Sequence, residues 1–531
     1  MTAHDLSDVP TIRAGEKGAV FVVRGDLKRI DADAYLVPTD SNGTVEDAWR
    51  FLVGVDERGG TRQLWEHQDE LSRQGGVWLG PVGERSLMAV DVGGASRVNS
   101  VDDMTVRLAK SLAIVDERLE SWVPHDRARP LLAMPLIGVG EGQLADETGD
   151  VILEVLACIR EHFVERPPAD RGFDVVLVCF SDSDYAAVQH ARRSVSSPEL
   201  PAEARRWLDP LVAHARRGEL AVVFGAGASA SLGLPLWSEL LADISRRLDD
   251  FPMTAQDLAT LDPIDAATIL IEAAGTDQFA TWMNDILGRD RHSLTHGLLA
   301  TLRPSLAITT NYDQGYELAA EAVTGRPVTV LPWDTVTPGS ARILKLHGDL
   351  QRGQIVLSRD QFVAMAAFRR PLSGILQERM MIGHVLAVGT SMGDSTLVHA
   401  AEEVRALGQA VDPLNPRATS GTVIFTSPQP ARARLMQGTF DVATAGQSSD
   451  LAAVREAARD VDLFLDWLAM RQSSDLSFVL DPRYRALLTD EDAEVALRLE
   501  PLRDHYAAGH SGEPSELDQA VHAFLRRLGG V

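Results

Sequence analysis

Short apolar runs alternate with amphipathic stretches over most of this chain. Residues 18–23 and 174–180 are rich in β-branched and apolar side chains, whereas residues 150–160 place apolar side chains at three- and four-residue intervals. The first pattern predicts buried strands, and the second predicts a helix with one buried face. Strands that alternate with helices indicate a parallel or mixed sheet covered on both faces. We therefore expect residues 1–200 to form an α/β domain.

A second α/β pattern follows the polar stretch at residues 193–217, which we interpret as a linker with a short helix. Its apolar runs are bounded by glycine, asparagine or proline, as is typical of strands that end in turns. The predicted strands are residues 220–224, 305–309, 343–346, 385–389 and 422–426. Amphipathic runs at 451–470 and 515–528 predict helices. The predicted organisation is an α/β domain at 1–200, a second α/β domain with a parallel sheet at 201–440, and a helical region at 441–531.

The bulk composition excludes several classes of protein. A chain of 531 residues is too long for one hydrophobic core, so two or three domains are expected. The formal net charge of −25 argues against a nucleic-acid partner, which needs clustered Lys and Arg. Only two cysteines occur, Cys158 and Cys179, which fits a reducing cytoplasm. Because we find neither a secretory signal nor an apolar run of about 18 residues, we expect a cytoplasmic protein with no membrane partner.

Residues 221–229 form a predicted strand that runs into a glycine turn. Gly225 and Gly227 allow the backbone to turn sharply and to approach a phosphate closely. The N-terminus of a following helix would offer unpaired N–H groups to the same anion. A Gly-x-Gly sequence after a strand also occurs in purely structural turns, so this motif alone leaves both interpretations open. The sequence Gly-Leu-Pro-Leu-Trp-Ser follows at residues 233–238.

Two further predicted strands end in polar residues. Asn311 and Asp313 follow the strand at 305–309, and His347 follows the strand at 343–346. Open α/β sheets bind ligands at the carboxyl ends of their strands, and an imidazole can accept a proton near neutral pH. The alternatives are an Asx turn in which Asp313 caps a helix, and a histidine that only packs. We interpret His296 as structural, because it lies in a helical pattern.

The fourth segment, residues 385–394, is a predicted strand followed by small side chains. These include Gly389, Thr390 and Ser391. No cysteine lies between His347 and Gly389, or anywhere after Cys179. A structural zinc ion needs about four thiolate or imidazole ligands with paired spacing, so we predict no metal site.

Taken in order, the four segments resemble the NAD site of the sirtuin family. The resemblance implies a Rossmann-like domain with NAD+ as its substrate. It assigns Asn311 to the nicotinamide ribose and the attacking water, His347 to catalysis, and Asp313 to the nicotinamide carboxamide. The implied NAD+-binding residues are Gly225, Ala226, Gly227, Ser229, Pro235, Trp237, Thr310, Asp313, Gly389, Thr390, Ser391 and Asp394. Since the zinc ribbon of the protein deacylases cannot be built, the chain looks like the bacterial NADase branch.

The N-terminal domain resembles a macrodomain, a fold that binds ADP-ribose. Residues 22–27 look like its opening strand, residues 134–142 like its glycine loop, and residues 178–182 like its last strand. This resemblance implies a mixed sheet with flanking helices. The residues implied to bind an ADP-ribose derivative are Asp26, Gly138, Val139, Gly140, Glu141 and Gly142. The alternative is an α/β domain that only packs against its neighbour.

Together the two resemblances imply an anti-phage effector similar to those of Thoeris-type systems. Such an effector would hydrolyse NAD+ to nicotinamide and ADP-ribose after a nucleotide derived from ADP-ribose binds the N-terminal domain, and we expect it to form a homo-oligomer. Two alternatives stay open. The chain could be an NAD+-dependent protein ADP-ribosyltransferase or deacylase, or a sensor that binds NAD+ or ADP-ribose without turnover.

Overall fold

A computed structural model of the chain describes residues 18–82, 85–93, 100–119, 126–140, 144–164, 172–195, 202–364, 366–411, 419–507 and 515–530. These residues divide between two units. The mixed-sheet unit takes the described residues of 15–124, 129–199 and 469–531. The parallel-sheet unit takes those of 125–128 and 200–468.

The mixed-sheet unit is built on six strands. They are β1 (Val20–Arg24), β2 (Ala34–Thr39), β3 (Gly76–Val82), β4 (Arg85–Asp91), β5 (Leu131–Pro135) and β6 (Asp174–Cys179). Their order across the sheet is β1-β6-β5-β2-β4-β3. All neighbouring strands are parallel except β3, which runs antiparallel to β4. The mixed sheet predicted for the N-terminal domain is thus confirmed.

Helices of this unit pack one face against the sheet. They are α1 (Arg50–Val53), α2 (Gln68–Gln74), α3 (Val101–Leu119), α4 (Thr148–Val164) and α5 (Asp182–Val195). In α3 the buried residues include Met104, Leu108, Leu112 and Val115, which are three or four positions apart and so lie on one side of the helix. Every residue of β6 is buried, as expected of a central strand covered on both faces.

The parallel-sheet unit carries seven strands in one sheet. They are β7 (Leu220–Phe224), β8 (Leu306–Thr309), β9 (Thr329–Leu331), β10 (Arg342–Lys345), β13 (His384–Val388), β14 (Gly421–Phe425) and β15 (Phe440–Thr444). A separate antiparallel pair is formed by β11 (Gly348–Asp349) and β12 (Gln354–Ile355). The sheet order is β15-β14-β13-β7-β8-β10-β9, and every neighbouring pair is parallel. This confirms the predicted parallel sheet.

The helices of this unit fill the connections between the strands. They are α6 (Ala202–Arg216), α7 (Trp237–Arg246), α8 (Ala255–Ala259), α9 (Pro263–Ala274), α10 (Thr276–Leu287), α11 (Leu294–Thr301), α12 (Gly315–Thr324), α13 (Arg359–Ala364), α14 (Ala366–Ile382), α15 (Ser395–Val411), α16 (Pro430–Met436) and α17 (Leu451–Gln472). All residues of β7, β8, β13 and β14 are buried. In the sheet, β8, the next strand along the chain after β7, lies on one side of β7, and β13 lies on the other side. The carboxyl ends of β7 and β13 therefore flank a topological switch point, where sheets of this kind bind ligands.

The end of the chain is helical, as predicted. After α17 come a 3-10 helix (Pro482–Leu487), α18 (Asp490–Ala507) and α19 (Glu516–Arg527). Residues 469–531 group with the mixed-sheet unit rather than with a region of their own. Phe478, Tyr484 and Leu487 contribute to the core of that unit. None of the helices in the described part of the chain combines the length and the apolar character that a membrane crossing requires.

Candidate functional site

The loops that follow β7, β8, β10 and β13 surround a cavity of about 540 Å³ at the carboxyl edge of the parallel sheet. A volume of this size is ordinary for a small-molecule site. All fourteen residues that the sequence predicts for the NAD+ site line it. They are Gly225, Ala226, Gly227, Ser229, Pro235, Trp237, Thr310, Asn311, Asp313, His347, Gly389, Thr390, Ser391 and Asp394. The fold thus brings the four sequence segments to one place, and the role of each residue stays a prediction.

Two glycine loops touch each other at the switch point. The Gly227 N–H donates a hydrogen bond of 2.9 Å to the Gly389 carbonyl. A Cβ on Gly227 would lie 2.8 Å from that same oxygen, which is closer than side chains approach. Gly389 has a φ of +60°, a value that favours glycine, and a Cβ there would lie 2.7 Å from the Ala228 nitrogen. The contact between the loops therefore requires glycine on both sides.

The segment after Gly225 differs from the expected helix start. Residues Ala226–Leu232 form a short 3-10 helix that ends at Gly233, a left-handed residue with φ of +69°. The α-helix begins only at Trp237, behind Pro235. Pro235 and the left-handed Gly233 both interrupt a continuous helix, which explains the break. The helix expected after the glycine turn is thus divided into a 3-10 helix and an α-helix that starts several residues later.

A chain of hydrogen bonds joins the first and second segments. The Asn311 amide Nδ2 donates to Ser229 Oγ at 3.1 Å, and Ser229 Oγ donates to Asp313 Oδ2 at 2.9 Å. The other carboxylate oxygen, Oδ1, accepts the Gly315 N–H at 2.9 Å, at the start of α12. Asp313 thus also fixes the turn before a helix, in agreement with the alternative of an Asx turn at this position. All three side chains, of Ser229, Asn311 and Asp313, are buried to 8 % exposure or less.

Lys345 lies beneath this turn, and the sequence analysis missed it. Its ammonium is fully buried, 2.6 Å from Glu317 Oε1 and 2.7 Å from Asp349 Oδ2. It also donates to the Asp313 carbonyl at 2.7 Å and to the Tyr312 carbonyl at 3.4 Å. The sequence does contain a signal for this cluster: Lys345 lies in an apolar strand, four residues before Asp349.

Burial and charge have opposite effects on this cluster. Burial alone would lower the pKa of Lys345, but Glu317 and Asp349 raise it above its ordinary value. Burial would raise the pKa of Asp349, whereas Lys345 and hydrogen bonds hold it below the ordinary value. Burial raises the pKa of Glu317 to about 7, against the opposing effect of Lys345. Asp349 is therefore the more strongly ionised partner of the lysine.

His347 lies next to a carboxylate from the fourth segment. Its Nε2 is 2.8 Å from Asp394 Oδ2, at ion-pair distance but without a well-aligned N–H donor. The His347 ring also packs against the Phe362 ring, with centroids 5.2 Å apart. His347 is 5 % exposed and lines the cavity. Sequence analysis placed Asp394 in the dinucleotide site but did not pair it with the histidine.

Asp394 also caps a helix. Its Oδ1 accepts the N–H groups of Thr396 and Leu397, at 2.9 and 3.2 Å, in the first turn of α15. Burial alone would raise the pKa of Asp394, but the contact with His347 and these backbone donors hold it below its ordinary value. Asp394 is therefore a carboxylate near the imidazole in the working pH range, and it is fixed by the helix that follows it.

His296 is buried in α11, in keeping with a structural role. Ser293 Oγ donates to the Ala228 carbonyl at 2.7 Å and lies 3.0 Å from His296 Nδ1. Burial lowers the pKa of His296 to about 4, although the Asp313 charge opposes this effect. The ring is thus neutral at pH 7 and supports the loop after β7 from below.

The predicted ligand residues of the mixed-sheet unit lie at a shared edge as well. Asp26 follows β1, and Gly138, Val139 and Gly140 follow β5; both strands run parallel to β6 between them. Asp26 Oδ1 accepts the Lys28 N–H at 2.9 Å, so one of its oxygens holds its own turn. Glu141 and Gly142 lie outside the described residues. A larger open groove of about 1110 Å³ in this unit is lined, among the described residues, by none of these positions.

Comparison with known proteins gives the class of the parallel-sheet unit. Residues 305–437 match the family of SIR2-like domains, and this stretch includes Asn311, His347 and the loop at Gly389. This part of the parallel-sheet unit is thus similar to SIR2-like domains, in keeping with the motifs at Asn311, His347 and Gly389, while the first glycine loop lies outside the matched stretch.

One curated relative is the protein named NAD(+) hydrolase ThsA from Acinetobacter baumannii (strain 532279). The two sequences are 27 % identical over 209 residues, which cover 38 % of this chain and 42 % of that protein. The match thus spans about two fifths of the relative's length.

A solved structure described as a macrodomain mutant from Oceanobacillus iheyensis with ADPR is also similar to part of the chain. The alignment covers 33 % of this chain and 93 % of the macrodomain, at 14 % identity and a TM-score of 0.24. Values this low support no conclusion about a ligand.

Within the described ranges, no group of three or more His, Cys, Asp or Glu side chains is arranged to hold a metal ion.

Proposed function

We propose that the parallel-sheet unit hydrolyses NAD+ to nicotinamide and ADP-ribose. The observation that carries the proposal is the convergence of Asn311, Asp313, His347 and Asp394 on one cavity whose floor is a contact between two glycine loops. The match to SIR2-like domains and the relative named as an NAD(+) hydrolase favour the same chemistry.

In the proposed reaction the glycosidic bond between C1′ and the nicotinamide nitrogen breaks first, and nicotinamide leaves with the electron pair. The sugar passes through an oxocarbenium-like state. A water molecule held by Asn311 and His347 then forms the new C–O bond, and His347 takes its proton. The pyrophosphate would lie against the two glycine loops at Gly225 and Gly389, where the backbone can approach it closely; the Gly227 N–H is already bonded to the Gly389 carbonyl and holds the two loops together.

The surrounding residues act by positioning these groups. Ser229 fixes the Asn311 amide, and Asp394 fixes the His347 ring and stabilises its positive charge when the proton arrives. Lys345 holds the turn of Asn311 and Asp313 close to the strand end that carries His347. Preorganisation of this kind is the usual way in which such a site lowers an activation barrier.

The experiment that tests the proposal follows nicotinamide and ADP-ribose release from NAD+ by the purified full chain. Asn311→Ala and His347→Ala should lower kcat by about 10²- to 10⁴-fold. His399→Ala provides a matched control, because this histidine of α15 is exposed. The thermal unfolding temperature, measured on each variant, should stay close to that of the parent chain.

Turnover that persists in His347→Ala would contradict the catalytic assignment. If ADP-ribose accumulates on an acceptor protein instead of in solution, the transferase alternative is favoured. Tight NAD+ binding without any turnover, even with candidate signals added, would favour the sensor alternative. Mass spectrometry of the products and calorimetric titration distinguish these outcomes.

We further propose that the chain is an anti-phage effector whose NAD+ hydrolysis is released when an ADP-ribose-derived nucleotide binds the mixed-sheet unit. The supporting observation is the common edge formed by Asp26 and residues 138–140. Nicotinamide release should increase when linear or cyclic ADP-ribose derivatives are added, and Asp26→Ala should abolish that increase. An unchanged response in Asp26→Ala would contradict this part of the proposal.

A further inference from the structure

The adenosine end of a bound dinucleotide can be placed on one side of the sheet. Asn311 and His347 follow β8 and β10, which lie on one side of β7. A dinucleotide whose pyrophosphate lies on the two glycine loops must extend its other half toward β13 and β14. The residues after β14 are therefore expected near the adenosine ribose.

This part of the chain has no carboxylate. Residues 421–440, which include all of β14 and α16, contain neither Asp nor Glu. Sites selective for NAD+ commonly present an acidic side chain to the 2′-hydroxyl of the adenosine ribose, whereas a nearby arginine accommodates a 2′-phosphate. The first cationic side chain after β14 is that of Arg432.

Arg432 lies against the loop that closes the cavity. A Cβ on Gly393 would lie 2.9 Å from Arg432 Nη1, 3.2 Å from Nη2 and 3.2 Å from Ser391 Oγ. The guanidinium and the Ser391 hydroxyl thus both lie close to Gly393, on the same side of this loop. Ser391 itself lines the cavity.

Among the described residues, the guanidinium of Arg432 has no hydrogen-bonding or ion-pair partner. Arg432 is half-buried and forms no ion pair or hydrogen bond with any residue in the described part of the chain. Arg434, two positions further on in the same helix, is exposed and hydrogen-bonds to Gln437. In a chain of net charge −25, an arginine that borders this loop and forms no ion pair among the described residues is suited to an anionic ligand.

We propose that the cavity also accepts NADP+, the 2′-phosphorylated form of the dinucleotide, and that Arg432 binds its 2′-phosphate together with the Ser391 hydroxyl. This inference rests on the proposed function, because the same cavity must bind the dinucleotide. The bond that breaks is again the one between C1′ and nicotinamide, and water supplies the hydroxyl. The products are then nicotinamide and 2′-phospho-ADP-ribose.

The test compares kcat/KM for NADP+ and for NAD+ in the full chain and in Arg432→Gln, Arg432→Lys and Arg434→Gln. The parent chain should cleave NADP+ with a kcat/KM within about tenfold of that for NAD+. Loss of a charge-assisted contact to phosphate should lower the NADP+/NAD+ ratio of kcat/KM by about 10- to 100-fold in Arg432→Gln. Arg432→Lys should retain part of the ratio, and Arg434→Gln should leave it unchanged.

Two results would overturn the proposal while leaving NAD+ hydrolysis intact. One is a parent chain that cleaves NAD+ but shows no NADP+ turnover, and the other is an unchanged ratio in Arg432→Gln. If neither dinucleotide is cleaved, the proposed hydrolysis fails, and calorimetric titration with NADP+ and NAD+ decides the binding claim. NADP+ affinity that falls in Arg432→Gln relative to NAD+ affinity supports the 2′-phosphate contact, and equal changes in both contradict it.

Discussion

Both sheets of this chain end in glycine loops at their carboxyl edges, but the glycines have different tasks. In the parallel-sheet unit a Cβ on Gly227 would lie 2.8 Å from another loop, whereas in the mixed-sheet unit a Cβ on Gly140 would meet no atom of the described residues within 4 Å. The polar side chains differ in the same way. Asn311 is bonded to residues of another segment, whereas Asp26 Oδ1 is bonded within its own turn.

The difference shows how a site is built from ordinary α/β loops. In the parallel sheet, four strand ends are joined to one another by three hydrogen bonds and one His–Asp contact. The hydrogen bonds are Gly227 N–H to the Gly389 carbonyl, Ser229 Oγ to Asp313, and Lys345 Nζ to the Asp313 carbonyl. The fourth contact is between His347 and Asp394. Each bond crosses between segments far apart in sequence. Such a site is preorganised before a ligand arrives, whereas an open loop still has to be ordered by its ligand.

The largest expected effect comes from removing a buried cation in either unit. Lys345→Met leaves Asp349 and Glu317 buried beside an apolar chain, and we expect it to lower the free energy of unfolding by about 3–5 kcal/mol. It should also abolish nicotinamide release, because the Tyr312 and Asp313 carbonyls lose their donor. Urea unfolding and the nicotinamide assay measure the two effects.

Arg107→Met is the matched control in the mixed-sheet unit. Arg107 pairs with Asp91, whose side chain is fully buried, so a similar loss of stability is expected there. Basal NAD+ turnover at a temperature where the parallel-sheet unit stays folded should persist. If Lys345→Met is unfolded, Lys345→Arg, which keeps the charge, should recover stability but not full activity. If Arg107→Met and Lys345→Met lost turnover equally, Lys345 would not have a specific role in the NAD+ site.

A smaller effect is expected from adding a methyl group to the glycine loops. Gly227→Ala forces Gly389 away and should lower stability by up to about 3 kcal/mol, with loss of NAD+ turnover. Gly140→Ala should leave both stability and basal turnover within experimental error, because no described residue lies within 4 Å of the added methyl group. Thermal unfolding and initial rates of the two variants provide the measurement. A Gly227→Ala protein with normal turnover would show that the contact between the loops is dispensable.

The smallest expected effect is on the pH dependence of stability. Burial, and for His384 the nearby His214, lower the pKa of His296 and of His384 to about 4. Between pH 6.5 and 4 the unfolded state then binds more protons than the folded state, so stability falls as the pH drops through this window. Each histidine should cost up to about 2 kcal/mol at pH 5 relative to pH 7.5.

Hydrogen exchange at pH 7.5 and pH 5 can follow the two units separately. Protection of β7 and β13 should fall at pH 5, and His384→Gln should reduce that fall. In the mixed-sheet unit the only described histidine with a lowered pKa is the half-buried His190, so a smaller change is expected there. Equal losses of protection in both units would contradict the assignment to His296 and His384.

The strands and loops of the parallel sheet could be predicted from the sequence because their signals are local. β7 begins and ends where the apolar run does, and α17 and α19 follow the two amphipathic runs to within a few residues. The glycines, Asn311 and His347 could be placed at strand ends for the same reason. The strand β9 was missed because its three residues carry too little pattern, and β15 was missed because the polar Asp441 and Thr444 interrupt its apolar residues.

The connections between segments could not be predicted, because they depend on three-dimensional proximity. Nothing local to Asp394 indicates that it meets His347, and nothing local to Lys345 indicates that it contacts Glu317. The contacts that residues 469–530 make with the mixed-sheet unit could not be predicted for the same reason. The core contacts of Phe478 and Tyr484 in the mixed-sheet unit join residues that are several hundred positions apart in the chain.

One feature of the parallel-sheet unit has a mechanical consequence. The Lys345 ammonium is anchored two positions before His347, and it grips the carbonyls of Tyr312 and Asp313, the two residues after Asn311. We expect this short linkage to couple the turn that carries Asn311 to the strand end that carries His347. A displacement of one strand end would then shift the amide and the imidazole together, and their mutual spacing would change little.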